Sequence, residues 1–221
     1  MSVKSFAIAA FALVLGIGSQ SAVASPVVVA GDTVTFGDGP GTTGGGEFIL
    51  TINSVWSYIT FCLQRTEYID YSNTFNVDSV NPYTVTDPAV NGGDGSGRDF
   101  ISEQTAFLYT QFRKGTLAGY DYSAGAGRVA SANALQNAFW GFEQEQALDV
   151  NNPFVILANN AVNSGAWSGI GHVGVLNLSR GGRNNYTEAQ DQLTLVPEPV
   201  TMALLGLGLG AVAVRRRRVR G

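Results

Sequence analysis

The chain has 221 residues, enough for one folded domain with short appendages. Its 13 Lys and Arg residues against 17 Asp and Glu residues give a net charge of −4. The stretch 25–196 keeps seven basic residues against sixteen acidic ones, which excludes a nucleic-acid-binding domain because such a domain needs clustered positive charge. With one Cys and one His, the chain cannot form an internal disulfide or a four-ligand Cys/His metal site, and we expect no bound metal or cofactor.

Residues 1–24 contain the three parts of a secretory signal peptide in order. Lys4 supplies the positive start, an apolar run extends from Phe6 to Ile17, and Ala22 and Ala24 form a small-x-small cleavage site. We therefore expect signal peptidase to cleave after Ala24, so that the exported chain begins with residue 25. A buried N-terminal helix is the alternative interpretation of the same apolar run.

The first half of the stretch 25–196 has the residue types of strands separated by glycine-rich loops. β-Branched and aromatic residues predict strands at Val27–Ala30, Thr33–Phe36, Glu47–Ile52, Tyr58–Leu63 and Thr84–Thr86. The intervening stretches 37–46 and 91–97 are too rich in glycine for a helix or a central strand. The sequence therefore predicts a β-rich first half.

Three helices are predicted next, followed by a return to strands. Helical spacing of apolar residues recurs in two stripes, Ile101, Thr105, Leu108 and Phe112, then Leu135, Ala138, Phe139 and Phe142. Ser131 is the expected N-cap of the second helix, and Asn152 with Pro153 predicts the start of a third. Strand patterns resume at Val173–Leu178 and Gln192–Val196. The order predicts one α+β domain over 25–196, a largely antiparallel sheet or sandwich with about three helices at one end.

The only cysteine, Cys62, lies in the predicted strand Tyr58–Leu63. Strand alternation places Ile59, Phe61 and Leu63 on one face, which we expect to be the core face. This arrangement leaves Cys62 on the side where a partner could approach. A thiol without a disulfide partner in an oxidising compartment is exposed to oxidation unless it is shielded or used.

A glutamine in the second predicted helix is a candidate reaction partner for the Cys62 thiol. Gln136 opens the apolar stripe, and Trp140 follows one turn later on the same side. A thiol and a carboxamide held in contact can condense, lose ammonia and leave an internal thioester. Phe61, Phe139 and Trp140 could supply the dry aromatic wall that such a bond needs against hydrolysis.

These segments resemble the bacterial thioester, or TQXA, adhesion domains. In that family an apolar-Cys-apolar strand is paired with a helix bearing Thr-Gln-x-Ala-Ile-Trp; Phe61-Cys62-Leu63 matches the strand, and Gln136, Ala138 and Trp140 match the helix. Leu and Phe stand at positions 135 and 139, in place of Thr and Ile. The resemblance implies a crosslink between Cys62 and Gln136 that captures an amine or hydroxyl of a partner. In the simpler interpretation, Cys62 is a small buried hydrophobe and Gln136 meets water.

The C-terminal 25 residues combine a short acidic motif, an apolar segment and a basic cluster. Pro197, Glu198 and Pro199 precede the uncharged Val200–Val214, and Arg215, Arg216, Arg217, Arg218 and Arg220 follow it. As a helix, fifteen residues span about 22 Å, short of the roughly 30 Å hydrocarbon core, but snorkelling arginines extend the reach. We therefore predict a transmembrane helix with the arginines on the cytoplasmic side.

This tail resembles the PEP-CTERM sorting signal of Gram-negative bacteria. The resemblance implies a single-pass precursor in the inner membrane, processing by an exosortase-type protease and delivery to the cell surface or extracellular matrix.

Taken together, these features predict a secreted, non-enzymatic surface or matrix protein. The more specific hypothesis is that this protein is a covalent adhesin. A purely structural, exopolysaccharide-associated matrix protein is the first alternative. A secreted hydrolase is the second, although His172 is the only histidine and the chain has no Gly-x-Ser-x-Gly elbow. Glu143 and Glu145 are two residues apart on a predicted helix, so we expect them on a solvated face.

Overall fold

The structure, a computed structural model, describes residues 27–42, 44–85, 93, 96–181 and 187–196. The predicted signal peptide, with its cleavage site at Ala22 and Ala24, and the tail from Pro197 onwards lie outside these residues. Within the described ranges, no helix has the length and apolar character needed to cross a bilayer.

The described chain is an α+β domain, as the sequence predicts. Six antiparallel strands form one sheet in the order β3-β2-β1-β4-β7-β8, and β5 and β6 form a separate two-stranded sheet. The strands are β1 (Thr33–Asp38), β2 (Phe48–Ile52), β3 (Trp56–Thr60), β4 (Thr74–Asn81), β5 (Tyr83–Val85), β6 (Arg98–Phe100), β7 (Val173–Arg180) and β8 (Thr187–Leu195). The helices, consecutive in the chain between β6 and β7, are α1 (Glu103–Arg113), α2 (Ala126–Phe142) and α3 (Pro153–Asn163).

The two edges of the six-stranded sheet meet just after β3 ends. Cys62 forms an isolated antiparallel bridge with Gln192 of β8. Leu193 N donates to Phe61 O at 3.0 Å, and Leu63 N donates to Asp191 O at 3.0 Å. The sheet therefore closes on itself, with Cys62 at the seam.

Closure of the sheet separates two hydrophobic cores. The helix-side core packs the three helices against one face of the seam, and it includes Phe61, Leu63, Leu108, Tyr109, Leu135, Phe139, Phe154, Val175 and Leu193. The enclosed core draws on the inner face of the curved sheet, and it includes Val34, Phe36, Phe48, Leu50, Phe75, Val77, Cys62, Trp140, Leu176 and Leu178. Successive residues of an extended segment point in opposite directions, so Phe61 and Leu63 enter the first core and Cys62 enters the second.

Several predicted boundaries are confirmed and others are wrong. Asn152 caps α3 by accepting from Phe154 N, as predicted. Ser131 is not an N-cap, because α2 begins five residues earlier, at Ala126, and Ser131 instead accepts from Asp121 N. Residues 27–30 form no strand; they lead into a turn in which Val29 N donates to the Asp32 carboxylate.

A buried ion pair ties the start of β2 to α2. The Glu47 side chain is fully buried and accepts from Arg128 Nε and Nη2, both at 2.7 Å. Tyr120 OH donates to the same carboxylate. Three donors on one carboxylate offset the cost of removing its charge from water. The contact holds the glycine-rich segment that precedes Glu47 near the helix.

We expect Arg128→Ala to lower the free energy of unfolding by about 3 kcal/mol, because it leaves the Glu47 carboxylate buried without a counter-charge. The double variant Glu47→Gln with Arg128→Met should recover most of that loss, since no charge then remains buried. Urea unfolding of the purified protein measures both effects. A single variant as stable as the wild type would contradict this account.

Candidate functional site

The structure places Cys62 and Gln136 in direct contact, although 74 positions separate them in the chain. Cys62 reaches the site from the seam of the sheet, and Gln136 from the middle of α2. The Cys62 thiol donates to Gln136 Oε1 across 3.4 Å. Both side chains have no solvent-exposed surface. The thiol therefore lies beside the carboxamide in a dry environment.

The carboxamide of Gln136 is held at both ends by main-chain atoms. Its Nε2 donates to Cys62 O at 2.8 Å, and its Oε1 accepts from Gly46 N at 3.3 Å. A buried amide without such partners would cost free energy comparable to a lost hydrogen bond. These bonds fix the plane of the amide. Its carbonyl oxygen faces Gly46 N and the Cys62 thiol, and its nitrogen faces the main-chain oxygen of Cys62.

The predicted exposure of Cys62 is wrong, because the face opposite Phe61 and Leu63 is a second core and not a surface. Cys62 belongs to the enclosed core and has no exposed surface. Burial raises the pKa of the Cys62 thiol well above its usual range, since the thiolate would lose its hydration. The thiol is therefore neutral at physiological pH.

The three aromatic residues predicted around the pair divide between the two cores. Trp140 lies in the enclosed core with Cys62, whereas Phe61 and Phe139 pack edge to face, with ring centroids 5.2 Å apart, in the helix-side core. The indole Nε1 of Trp140 is buried with no hydrogen-bond partner, and it lies close enough to Cys62 to offset a small part of the rise in the thiol pKa. The indole N–H therefore lies on the same side of the site as the sulfur.

A glycine segment covers the pair on the side toward solvent. Gly44 is exposed, Gly45 is partly exposed and Gly46 is buried. A Cβ added at Gly45 would lie 2.9 Å from Gln136 Cγ and from two ring carbons of Trp140. Only a residue without a side chain fits this close to the pair. The sequence identified the segment as a loop but gave no sign that it contacts Gln136.

Two acidic residues after α2 differ from expectation. Glu143 is buried, accepts from Ser102 N and Oγ at 3.2 and 2.8 Å, and so helps to cap α1; its predicted solvated position is wrong. Burial raises the pKa of Glu143 to about 7, and the negative charge of Asp99 adds to this effect. Glu145 is half-buried and accepts from Arg65 N at 2.9 Å. Its burial raises the pKa of the Glu145 carboxyl as well.

His172 and the acidic residues are the remaining candidates for catalysis or metal binding. His172 is exposed immediately before β7. In the part of the chain that the structure describes, no group of three or more His, Cys, Asp or Glu residues could hold a metal ion.

Comparison with known proteins identifies one feature of the chain. Residues 195–218 match the family model of the PEP-CTERM protein-sorting motif. This match supports the predicted sorting signal around Pro197, Glu198 and Pro199, and it indicates a membrane-anchored precursor, an exosortase-type processing protease and export to the cell surface. No curated protein and no solved structure matches the chain.

We expect Glu143→Gln to remove part of the pH dependence of stability. A carboxyl whose pKa rises from 4.5 to about 7 on folding binds its proton more tightly in the folded state, so the free energy of unfolding falls as pH rises through that interval. The loss should be roughly 1–3 kcal/mol for the wild type and absent from this site in the variant. Chemical unfolding at about pH 5 and pH 8 measures the difference, and equal pH dependence in both proteins would contradict the assignment.

Proposed function

We propose that this chain is an exported surface protein that captures a partner covalently through an internal thioester between Cys62 and Gln136. The sorting motif over 195–218 supports the location. The 3.4 Å contact between the Cys62 thiol and Gln136 Oε1 is the observation that carries the chemistry. The two segments that contain these residues resemble thioester adhesion domains, and this resemblance implies a crosslink between the same two residues.

Formation of the bond requires no oxidant and no cofactor. The Cys62 sulfur attacks the carboxamide carbon of Gln136, and a bond forms between sulfur and that carbon. The bond from the carbon to Nε2 breaks, the thiol proton moves to the departing nitrogen, and ammonia leaves. Because the pKa of the buried thiol is raised, this proton transfer accompanies the attack and does not precede it.

Capture takes place at the same carbon, which now accepts a nucleophile from outside and releases the sulfur of Cys62. An amine of the partner forms an amide with the Gln136 side chain, the carbon–sulfur bond breaks, and the proton from the amine returns to the sulfur of Cys62. A hydroxyl would give an ester by the same route. The protein reacts once and is not regenerated, so this is a binding function and not an enzymatic one.

Burial of the pair supports persistence of the bond before a partner arrives. Both side chains are fully buried, so bulk water has no open path to the carbon of the proposed thioester. The sulfur also lies among the apolar side chains of the enclosed core, which exclude water from it. These properties suit a protein that waits at a cell surface in water.

The intact mass of the exported protein tests bond formation. We expect the wild type to be lighter than its processed sequence by one ammonia molecule, and to have no titratable thiol after denaturation in acid. Cys62→Ala and Gln136→Glu should each have the full mass of their own sequences, because one lacks the sulfur and the other lacks the amide nitrogen. A wild-type protein of full mass with a free thiol would refute the proposal and favour a structural role for the pair.

Methylamine tests the capture step without any knowledge of the natural partner. We expect incubation of the wild type with methylamine to add one methylamine molecule at Gln136 and to release one thiol at Cys62. Peptide mapping locates the addition, and the Cys62→Ala variant is the control that should remain unlabelled. Labelling that persists in this variant would assign the reaction to a different site.

A further inference from the structure

The Cys62–Gln136 pair has a neighbour that the function proposed above does not use. Gly46 N donates to Gln136 Oε1, the atom that becomes the carbonyl oxygen of the proposed thioester. This oxygen gains negative charge when a nucleophile adds to the adjacent carbon. A fixed N–H donor in a buried site stabilises such charge far more than it would in water. The geometry therefore puts a donor where the reaction needs one.

The position of Gly46 is set by close backbone packing within its own loop. Glu47 N donates to Pro40 O at 2.9 Å, which closes the loop at its base. Gly46 has φ +119°, and a Cβ there would lie 2.8 Å from Pro40 O and 2.9 Å from Gly41 Cα. Glycine is required here for two reasons: other residues rarely adopt this positive φ, and a Cβ would clash with the backbone of Pro40 and Gly41. The Gly46 N–H is thus aimed at Gln136 by a tightly packed turn.

A side chain of α2 attaches the far end of the same loop. Asn133 Oδ1 accepts from Thr42 N at 2.7 Å, and Asn133 Nδ2 donates to Thr42 Oγ1 at 2.8 Å. Asn133 lies one turn before Gln136 on the helix. Helix α2 therefore carries both Gln136 and the residue that holds the loop against it. This shared attachment keeps Gly46 N within hydrogen-bonding distance of Gln136.

We propose that the Gly46 N–H is the oxyanion donor for both formation and opening of the Cys62–Gln136 thioester, and that Asn133 is the positioning residue that holds it in place. This inference rests on the function proposed above. In formation, the donor stabilises the tetrahedral oxygen produced when the sulfur adds to the amide carbon. In capture, it stabilises the same oxygen when the amine adds. The proton and leaving-group steps are those already given.

Gly46→Ala tests the donor directly. The added Cβ meets Pro40 O and Gly41 Cα, so the Gly46 N–H must move away from Gln136 Oε1. We expect the rate of aminolysis by methylamine to fall roughly 10- to 100-fold. Gly44→Ala is the matched control, because Gly44 also has a positive φ, +81°, but a Cβ there meets nothing within 4 Å. The control should react at close to the wild-type rate.

Asn133→Ala provides a second test that leaves every glycine in place. We expect about a tenfold loss in the rates of thioester formation and aminolysis, since the loop loses its attachment to α2. Asn133→Asp keeps the acceptor for Thr42 N and should recover part of the rate. Asn137→Ala, one turn further along α2, removes only a contact with Gln146 and should leave both rates unchanged.

All rates are measured by intact mass on the exported, processed protein, and thermal unfolding is recorded for each variant. Slower aminolysis in Gly46→Ala and Asn133→Ala at unchanged melting temperature supports the inference. If the wild type contains the thioester but both variants react like their controls, the inference is overturned while the proposed function stands. A wild type that has lost no ammonia overturns both.

Discussion

The contact on which the rest of the structure depends is the main-chain bridge between Cys62 and Gln192. It joins the end of β3 to β8 and closes the sheet, with hydrogen bonds from Leu193 N and Leu63 N on either side. Without closure there would be one core beneath the helices. With closure there are two, and the alternation of three consecutive residues sends Cys62 alone into the enclosed one. The thiol meets Gln136 because α2 lies across this seam and contributes Gln136 and Trp140 to the same side.

Polar groups buried near the seam account for much of the chemical character of the domain. Both the nitrogen and the oxygen of the Gln136 amide have a main-chain partner. Asp191, beside the bridge, has one oxygen bonded to Leu178 N and the other without a hydrogen-bond partner. Burial raises the pKa of Asp191 well above its usual value, because the charged carboxylate would lose its hydration. The seam thus places a neutral thiol beside a neutral amide, and neither side chain has solvent-exposed surface. In such surroundings, the hydrogen bond from Gly46 N to Gln136 Oε1 stabilises charge on that oxygen more than it would in water.

Local patterns predicted most of the elements, whereas long-range pairing decided the site. Helix α3 was predictable to its cap because Asn152 and Pro153 are local signals. Strand β4 was missed because Thr74–Asn81 alternates apolar with polar residues too weakly to stand out. The pairing of Cys62 with Gln136 followed from two short motifs. The burial of Cys62 was only one of two interpretations of the sequence, since it depends on closure with β8 at a sequence distance of 130 residues. The role of Gly46 was equally hidden, because composition marks a loop but not its contacts.

The proposed thioester must be protected from water and must also be accessible to a nucleophile of the partner. In the structure, the seam of the sheet suits the first requirement and the glycine segment suits the second. The seam is held by two main-chain hydrogen bonds and by hydrophobic packing on both faces, so opening it would disrupt both cores. The glycine segment is attached mainly by its turn, by the Glu47 ion pair at one end and by Asn133 at the other. Between these attachments, Gly44 is exposed and Gly45 contacts Trp140 and Gln136 only through backbone atoms. The partly exposed Gly45 therefore lies between solvent and the side chain of Gln136. We therefore expect a nucleophile on a partner to approach the proposed thioester from this side, next to the Gly46 N–H that would stabilise its attack.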